Sequence, residues 1–122
     1  MNSTMVKLRE WIGQDVYTGR EIEERIYDMS LNEIPTTAIQ NNRVAVWDLE
    51  PGKYMLLYIE YPTLISPLFE YSIMCLDVGT VGVDVSRIEK HFIARVSLSK
   101  NIDQELRKNI ILTLLRQLQS LC

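Results

Sequence analysis

Apolar positions in the first third of the chain recur at helical spacing. Met5, Leu8, Trp11 and Ile12 follow Ser3 and Thr4, residue types that cap helix N-termini, and predict a short amphipathic helix ending near Gly13. Thr18-Gly-Arg-Glu21 has the form of a capping box, after which Ile22, Ile26 and Met29 share one stripe while Glu21, Glu23, Glu24 and Asp28 lie mostly elsewhere. This predicts a second helix of about three turns. Between Asn32 and Asn42, the residues Pro35, Thr36, Thr37, Asn41 and Asn42 suit a loop.

The period then changes. Arg43-Val-Ala-Val-Trp-Asp-Leu49 and Tyr54-Met-Leu-Leu-Tyr-Ile-Glu-Tyr61 are β-prone runs separated by Glu50-Pro51-Gly52-Lys53, where Pro followed by Gly suits a type II turn and predicts a hairpin. The second run is apolar on both faces, with Met55, Leu57, Ile59 and Tyr61 on one and Tyr54, Leu56 and Tyr58 on the other, which places it centrally in a sheet. Pro62 and Pro67 bracket a loop. A further hairpin is predicted from Phe69–Val78 and Val81–Ser86 around Gly79-Thr80, because Gly at the first of two turn positions fits a type II′ turn. With Val78 opposite Val81, Leu76 meets Val83 and Met74 meets Val85 on one apolar face.

Arg87 to His91 reads as a linking turn or a single helical turn. Phe92, Ala94, Val96 and Leu98 then alternate with Ile93, Arg95, Ser97 and Ser99 as a half-buried strand. Ser99 or Asn101 can cap a closing helix, with Asp103 and Glu105 in its first turn, that runs toward Leu121. Its stripe is Leu106, Ile110, Leu114, Leu118 and Leu121, but Ile111, Leu112 and Leu115 widen the apolar surface beyond what one sheet face requires.

These elements give a fold class of α+β: a single domain over residues 1–122 with two N-terminal helices, a mainly antiparallel sheet of about five strands, and a long C-terminal helix packed on that sheet. In general outline the order of elements, the acidic balance and the small size resemble small secretion-chaperone-like domains. No particular residue carries that likeness, so it transfers no site.

Length and composition agree with one folded core. The chain has 122 residues, 47% hydrophobic and 24% charged, far from the signature of disorder. Thirteen Lys and Arg against sixteen Asp and Glu give a net charge of −3, which disfavours a whole-chain electrostatic grip on nucleic acid or anionic lipid. That number hides a split. Residues up to Ser86 hold six basic and thirteen acidic side chains, net −7, and the remainder holds seven basic and three acidic, net +4. The simplest consequence is neutralisation of one part by the other within the molecule; the functional alternatives are an intersubunit contact between unlike ends and an anion or nucleic-acid patch around Arg87, Lys90, Arg95 and Arg107. No apolar run is long enough for a membrane span, and charges among the first dozen residues argue against a signal peptide. Cys75 lies in an apolar run and Cys122 ends the chain, a pair read most simply as two free thiols in a reducing cytoplasm.

Candidate chemistry is sparse. His91 is the single histidine, and with two remote cysteines it cannot complete a zinc site, so no metal and no cofactor is expected. Asp77 and Asp84 flank a turn without the ligand-dense loop of a calcium site, and Gly79-Thr-Val-Gly82 is neither a Walker loop nor a dinucleotide fingerprint. A thiol enzyme built on Cys75 would need a base such as His91 in hydrogen-bond reach. No catalytic residue is assigned. The leading expectation is a non-enzymatic cytoplasmic protein-binding or adaptor protein, of the chaperone, immunity or phage-accessory kind. It would self-associate as a homo-oligomer through Ile111 and Leu115 of the last helix and present either a sheet face bearing Tyr54, Tyr58 and Tyr71 or the acidic N-terminal helices to a protein partner. The alternatives are a small-ligand or nucleotide-binding protein, with an anion site drawn from Arg87, Arg95 and Arg107 beside a tyrosine, and a small thiol enzyme using Cys75.

Overall fold

A computed structural model describes residues 5–122. Among them lie nine strands: β1 (Val6–Trp11), β2 (Gly13–Gln14), β3 (Glu21–Asp28), β4 (Glu33–Ile34), β5 (Ala38–Gln40), β6 (Val44–Leu49), β7 (Gly52–Glu60), β8 (Leu68–Thr80) and β9 (Ser86–Ser99). One helix follows, α1 (Gln104–Leu118), which ends in a 3-10 turn, Gln119–Leu121. All strand pairs are antiparallel. A small sheet has the order β1-β6-β5, and a large one the order β2-β3-β7-β8-β9 with β4 added to β3.

The layers follow from alternation along β7. Met55, Leu57 and Ile59 pack with Tyr27, Tyr71 and Ile73 against Ile111 and Leu115 of α1, while Leu56 points the other way, joining Ile26, Leu76 and Val78 against Val6, Leu8, Ala45, Trp47 and Leu49 of the small sheet. The large sheet therefore has a helix on one face and a second sheet on the other. A strand buried from both sides has no polar face to show, which is why β7 reads as an uninterrupted apolar run.

This fold is mostly β with one C-terminal helix, and it overturns the expected α+β arrangement with two N-terminal helices. Residues 6–11 and 21–28 are strands. The physical reason is that Ile22 and Ile26 are four apart: that spacing falls on one face of a helix and, being even, also on one face of a strand. In β3 both are buried, Ile26 in the core shared with the small sheet, and of the charged neighbours that looked like the wet side of a helix, Glu21 and Glu23 alternate with them while Glu24 and Asp28 share their face. Thr18 caps no helix. Asp15 Oδ1 accepts from the amides of Tyr17 and Thr18 at 2.8 and 2.9 Å, and Thr18 Oγ1 accepts from Arg20 N at 3.2 Å, which builds the turn between β2 and β3. The cap expected from Ser3 and Thr4 lies outside the described residues.

Two predicted hairpins also change. β6 and β7 do not pair: β6 bonds to β1 and β5, and β7 to β3 and β8. Pro51-Gly52 is instead the corner where the chain leaves one sheet for the other, and Gly52 has a φ of 156°, a conformation other residues rarely adopt. The hairpin of β8 and β9 does form, but with Val78 opposite Ile88 and a loop over residues 81–85, so Arg87 to His91 is strand. The longer ladder, from Leu68↔Ser99 to Thr80↔Ser86, leaves Val81, Val83 and Val85 exposed at the tip.

Asp103 caps α1, its carboxylate accepting from Leu106 N at 3.1 Å. The helix turns Ile111 and Leu115 inward and leaves Leu106 and Leu121 exposed, so the stripe that faces the sheet is not the one expected. The expectation of two free thiols is overturned as well. Cys75 of β8 and Cys122 form a disulfide with Cα atoms 5.4 Å apart. Lys53 Nζ donates to the Cys122 carbonyl at 2.9 Å, and Gln119 Nε2 donates to the Met29 carbonyl at 3.0 Å, so the end of the helix is tied at three points. Among the described residues no helix is long and apolar enough to cross a membrane.

Candidate functional site

Where α1 lies against β3 and β7, a cleft of about 400 Å³ opens between helix and sheet. Its floor is apolar, from Leu57, Ile59, Ile111 and Leu112, and its polar lining comes from Arg25, Tyr27, Glu33, Tyr61, Tyr71, Arg107 and Lys108. Strand alternation puts Arg25 and Tyr27 of β3 on the same face as Leu57 and Met55, their partners across the ladder, and as Ile59 beyond them. The helix brings Arg107 and Lys108 from the other side.

Arg107 is the most constrained of these groups. Its Nη1 donates to the Tyr71 hydroxyl at 2.6 Å, and its guanidinium carbon stands 4.0 Å from the centre of the Phe69 ring. Phe69 in turn stacks with Tyr71 and meets Tyr61 edge to face, at centroid distances of 6.2 and 5.6 Å. The Arg107 Nε is buried without a hydrogen-bond partner. Among the described residues neither Arg107 nor Lys108 has a carboxylate within ion-pair distance. A tyrosine oxygen that accepts from a guanidinium keeps its own proton to donate, so Tyr71 and Arg107 together form a donor pair.

Arg25 is different. Its Nε lies 3.0 Å from Glu23 Oε1 and its Nη1 3.7 Å from Glu33 Oε1. Burial works against its charge, but Glu23 and then Glu33 outweigh this and hold its pKa above the ordinary guanidinium value. Tyr61 donates to Glu23, and burial followed by that bond raises its pKa. Burial likewise raises Tyr27, with Glu33 adding to it. The rim on the β3 side is therefore already neutralised, and the uncompensated positive charge sits on the helix side.

The structure gathers only part of the residues singled out in the sequence. Arg107 and Tyr71 meet; Arg87 and Arg95 lie elsewhere. Arg87 pairs with Glu89 at 3.7 Å beside the β8–β9 hairpin, and Arg95 lies 3.1 Å from Glu70 and 3.6 Å from Glu60. A bond from Ser97, opposed by burial and joined by Arg95, holds the Glu70 carboxyl below the usual carboxylate range. Tyr54 and Tyr58 face the small sheet, whereas Tyr71 faces α1, so the three do not share a surface. The Tyr54 hydroxyl is bonded to the Glu50 carbonyl at 2.7 Å, and burial raises the pKa of both Tyr54 and Tyr58. Ile111 and Leu115, expected to face another subunit, are 5% and 0% exposed within this chain's own core. The large sheet uses the apolar excess that had suggested self-association. Cys75 holds no thiolate, since it is bonded to Cys122. Arg25, Tyr27, Tyr61 and Lys108 were missed. Reading β3 with a period of two would have placed Arg25 and Tyr27 side by side on one face.

No protein-family model matches the chain, and no curated protein matches it in sequence. In three dimensions it is similar to the crystal structure of an engineered protein solved by the Northeast Structural Genomics Consortium, with a TM-score of 0.62 and 14% identity over 81% of this chain. The match spans 61% of that engineered chain, and at this identity the likeness concerns the fold alone.

Proposed function

We propose that this is a small-ligand-binding protein whose site is the cleft between α1 and the large sheet. The observation that carries this reading is the pairing of an apolar floor with Arg107 and Lys108, two cations that no carboxylate of the described chain neutralises. Small-molecule sites are concave and mostly apolar, with a few converging polar groups that orient the ligand. Here Arg107 and the Tyr71 hydroxyl are those groups, and both suit an anion. Binding rather than catalysis is the reading, because the lining holds no nucleophile beside a base. Once Cys75 and Cys122 are joined, the thiol argument for a cytoplasmic location no longer applies.

Titration with 1-anilinonaphthalene-8-sulfonate, an apolar anion, tests the site. Saturable enhancement of its fluorescence with one-site stoichiometry, lost in Arg107→Gln at unchanged far-UV circular dichroism, is the expected result. Unsaturable enhancement, or equal binding by that variant, would remove the reading.

A further inference from the structure

The balance of charge in the cleft narrows the ligand further, on the premise that the cleft is a ligand site. Arg25 is held between Glu23 and Glu33, which leaves Arg107 and Lys108 as the only lining cations without an ion pair among the described residues. Glu33 itself lines the cleft. Lys108 is exposed, where solvent screens its charge, so Arg107 is the one free cation held against the cleft, and a second negative charge on the ligand would reach only screened Lys108 or approach Glu33. A ligand without an acceptor would leave the Arg107 Nε and the Tyr71 proton unused, and a neutral acceptor would leave the Arg107 charge uncompensated. We infer that the cleft takes a singly charged amphiphile: an organic carboxylate with a compact apolar body.

The carboxylate belongs at Arg107. A planar guanidinium presents its N–H groups in a fork that matches two carboxylate oxygens, and here one arm of the fork is already fixed by Tyr71, so little freedom is lost on binding. The Phe69 ring beneath the guanidinium holds its plane. The body of the ligand then lies over Leu57, Ile59 and Leu112, where water offers the floor nothing. At about 400 Å³ the cleft is at the small end of ligand pockets, which suits a compact body such as a short chain or a few rings.

Isothermal titration calorimetry of octanoate, octan-1-ol and adenosine monophosphate, each into the wild type, Arg107→Gln and Lys108→Gln, separates the possibilities. Octanoate is expected to bind at least tenfold more tightly than either of the others. Arg107→Gln should bring octanoate to the level of octanol, and Lys108→Gln should weaken it by a smaller factor. Should Arg107→Gln fail to fold, the Lys108→Gln response and the order of the three ligands on the wild type decide the matter. Octanol matching octanoate, or the nucleotide binding more tightly than both, would overturn the assignment of a monoanion while leaving a ligand site in place. Failure of all three compounds to bind would overturn the site as well.

Discussion

The Tyr71 hydroxyl of β8 accepts a 2.6 Å hydrogen bond from Nη1 of Arg107 on α1, and the same guanidinium lies over Phe69, two residues earlier in the strand. Strand alternation puts Phe69 and Tyr71 on one face, and the helix supplies the cation that both contact. Bonds involving a charged donor are stronger than neutral ones, so the contact orients Arg107 before any ligand arrives. Replacing Tyr71 with Phe keeps the ring and removes the acceptor. Octanoate affinity should fall by about threefold to tenfold in this variant, the value of one hydrogen bond, and by more in Arg107→Gln; calorimetry on both reads the difference.

Stability should depend strongly on the bond between Cys75 and Cys122, which closes a loop with a sequence separation of 47 residues. Loop closure of that length is worth about 3–4 kcal/mol in the chain-entropy account. Cys122→Ser, or reduction of the wild type, should lower the urea midpoint accordingly. An unchanged midpoint would mean that the end of α1 is held by Lys53 and Gln119 alone.

Leu115 is fully buried where α1 meets the large sheet. Leu115→Ala should cost about 2–5 kcal/mol, from the lost burial and the cavity left behind. Leu106→Ala, on an exposed turn of the same helix, should change stability by less than about 0.5 kcal/mol. If the helix instead served chiefly as an assembly surface, the two costs would not separate in this way in dilute monomer.

Glu24 on β3 points into the gap between the sheets toward Glu10 of β1, which is paired with Lys90 of β9. Its Oε2 is buried without a hydrogen-bond partner. Burial, then the Glu10 charge, with Lys90 opposing, pushes its pKa up to about 7. Since the folded state holds the proton more tightly than the unfolded chain, stability is greatest below the ordinary carboxylate pKa. It declines as pH rises toward 7, by up to about 3 kcal/mol, and then levels. Glu24→Gln should remove most of that slope from urea midpoints measured between pH 4.5 and 8.

Much of the site was hidden in the sequence for one reason. The spacing of Ile22 and Ile26 satisfies a helix and a strand equally, and assigning a helix to β3 dispersed Arg25 and Tyr27 onto different faces. Where the spacing was unambiguous, as along β7, the two-faced apolar run did indicate a central strand. Tyr71 and Arg107 were both singled out, but 36 residues separate them, and only the docking of α1 on the sheet brings them together. The disulfide was discounted because pinning a chain end to a strand centre looked improbable, yet α1 crosses back to β8 and delivers Cys122 to Cys75. The surplus of leucine and isoleucine in α1 suggested a second subunit. A six-stranded sheet with an apolar face absorbed Ile111 and Leu115 instead.

The most direct test of the cleft as the binding site is a ¹H–¹⁵N correlation titration of the labelled protein with octanoate. Saturable shifts are expected at Arg25, Leu57, Ile59, Tyr71, Arg107 and Lys108, with the amides of β1, β5 and β6 unmoved. Shifts centred on the small sheet or around Cys75 and Cys122, or no shifts at millimolar octanoate, would contradict the account.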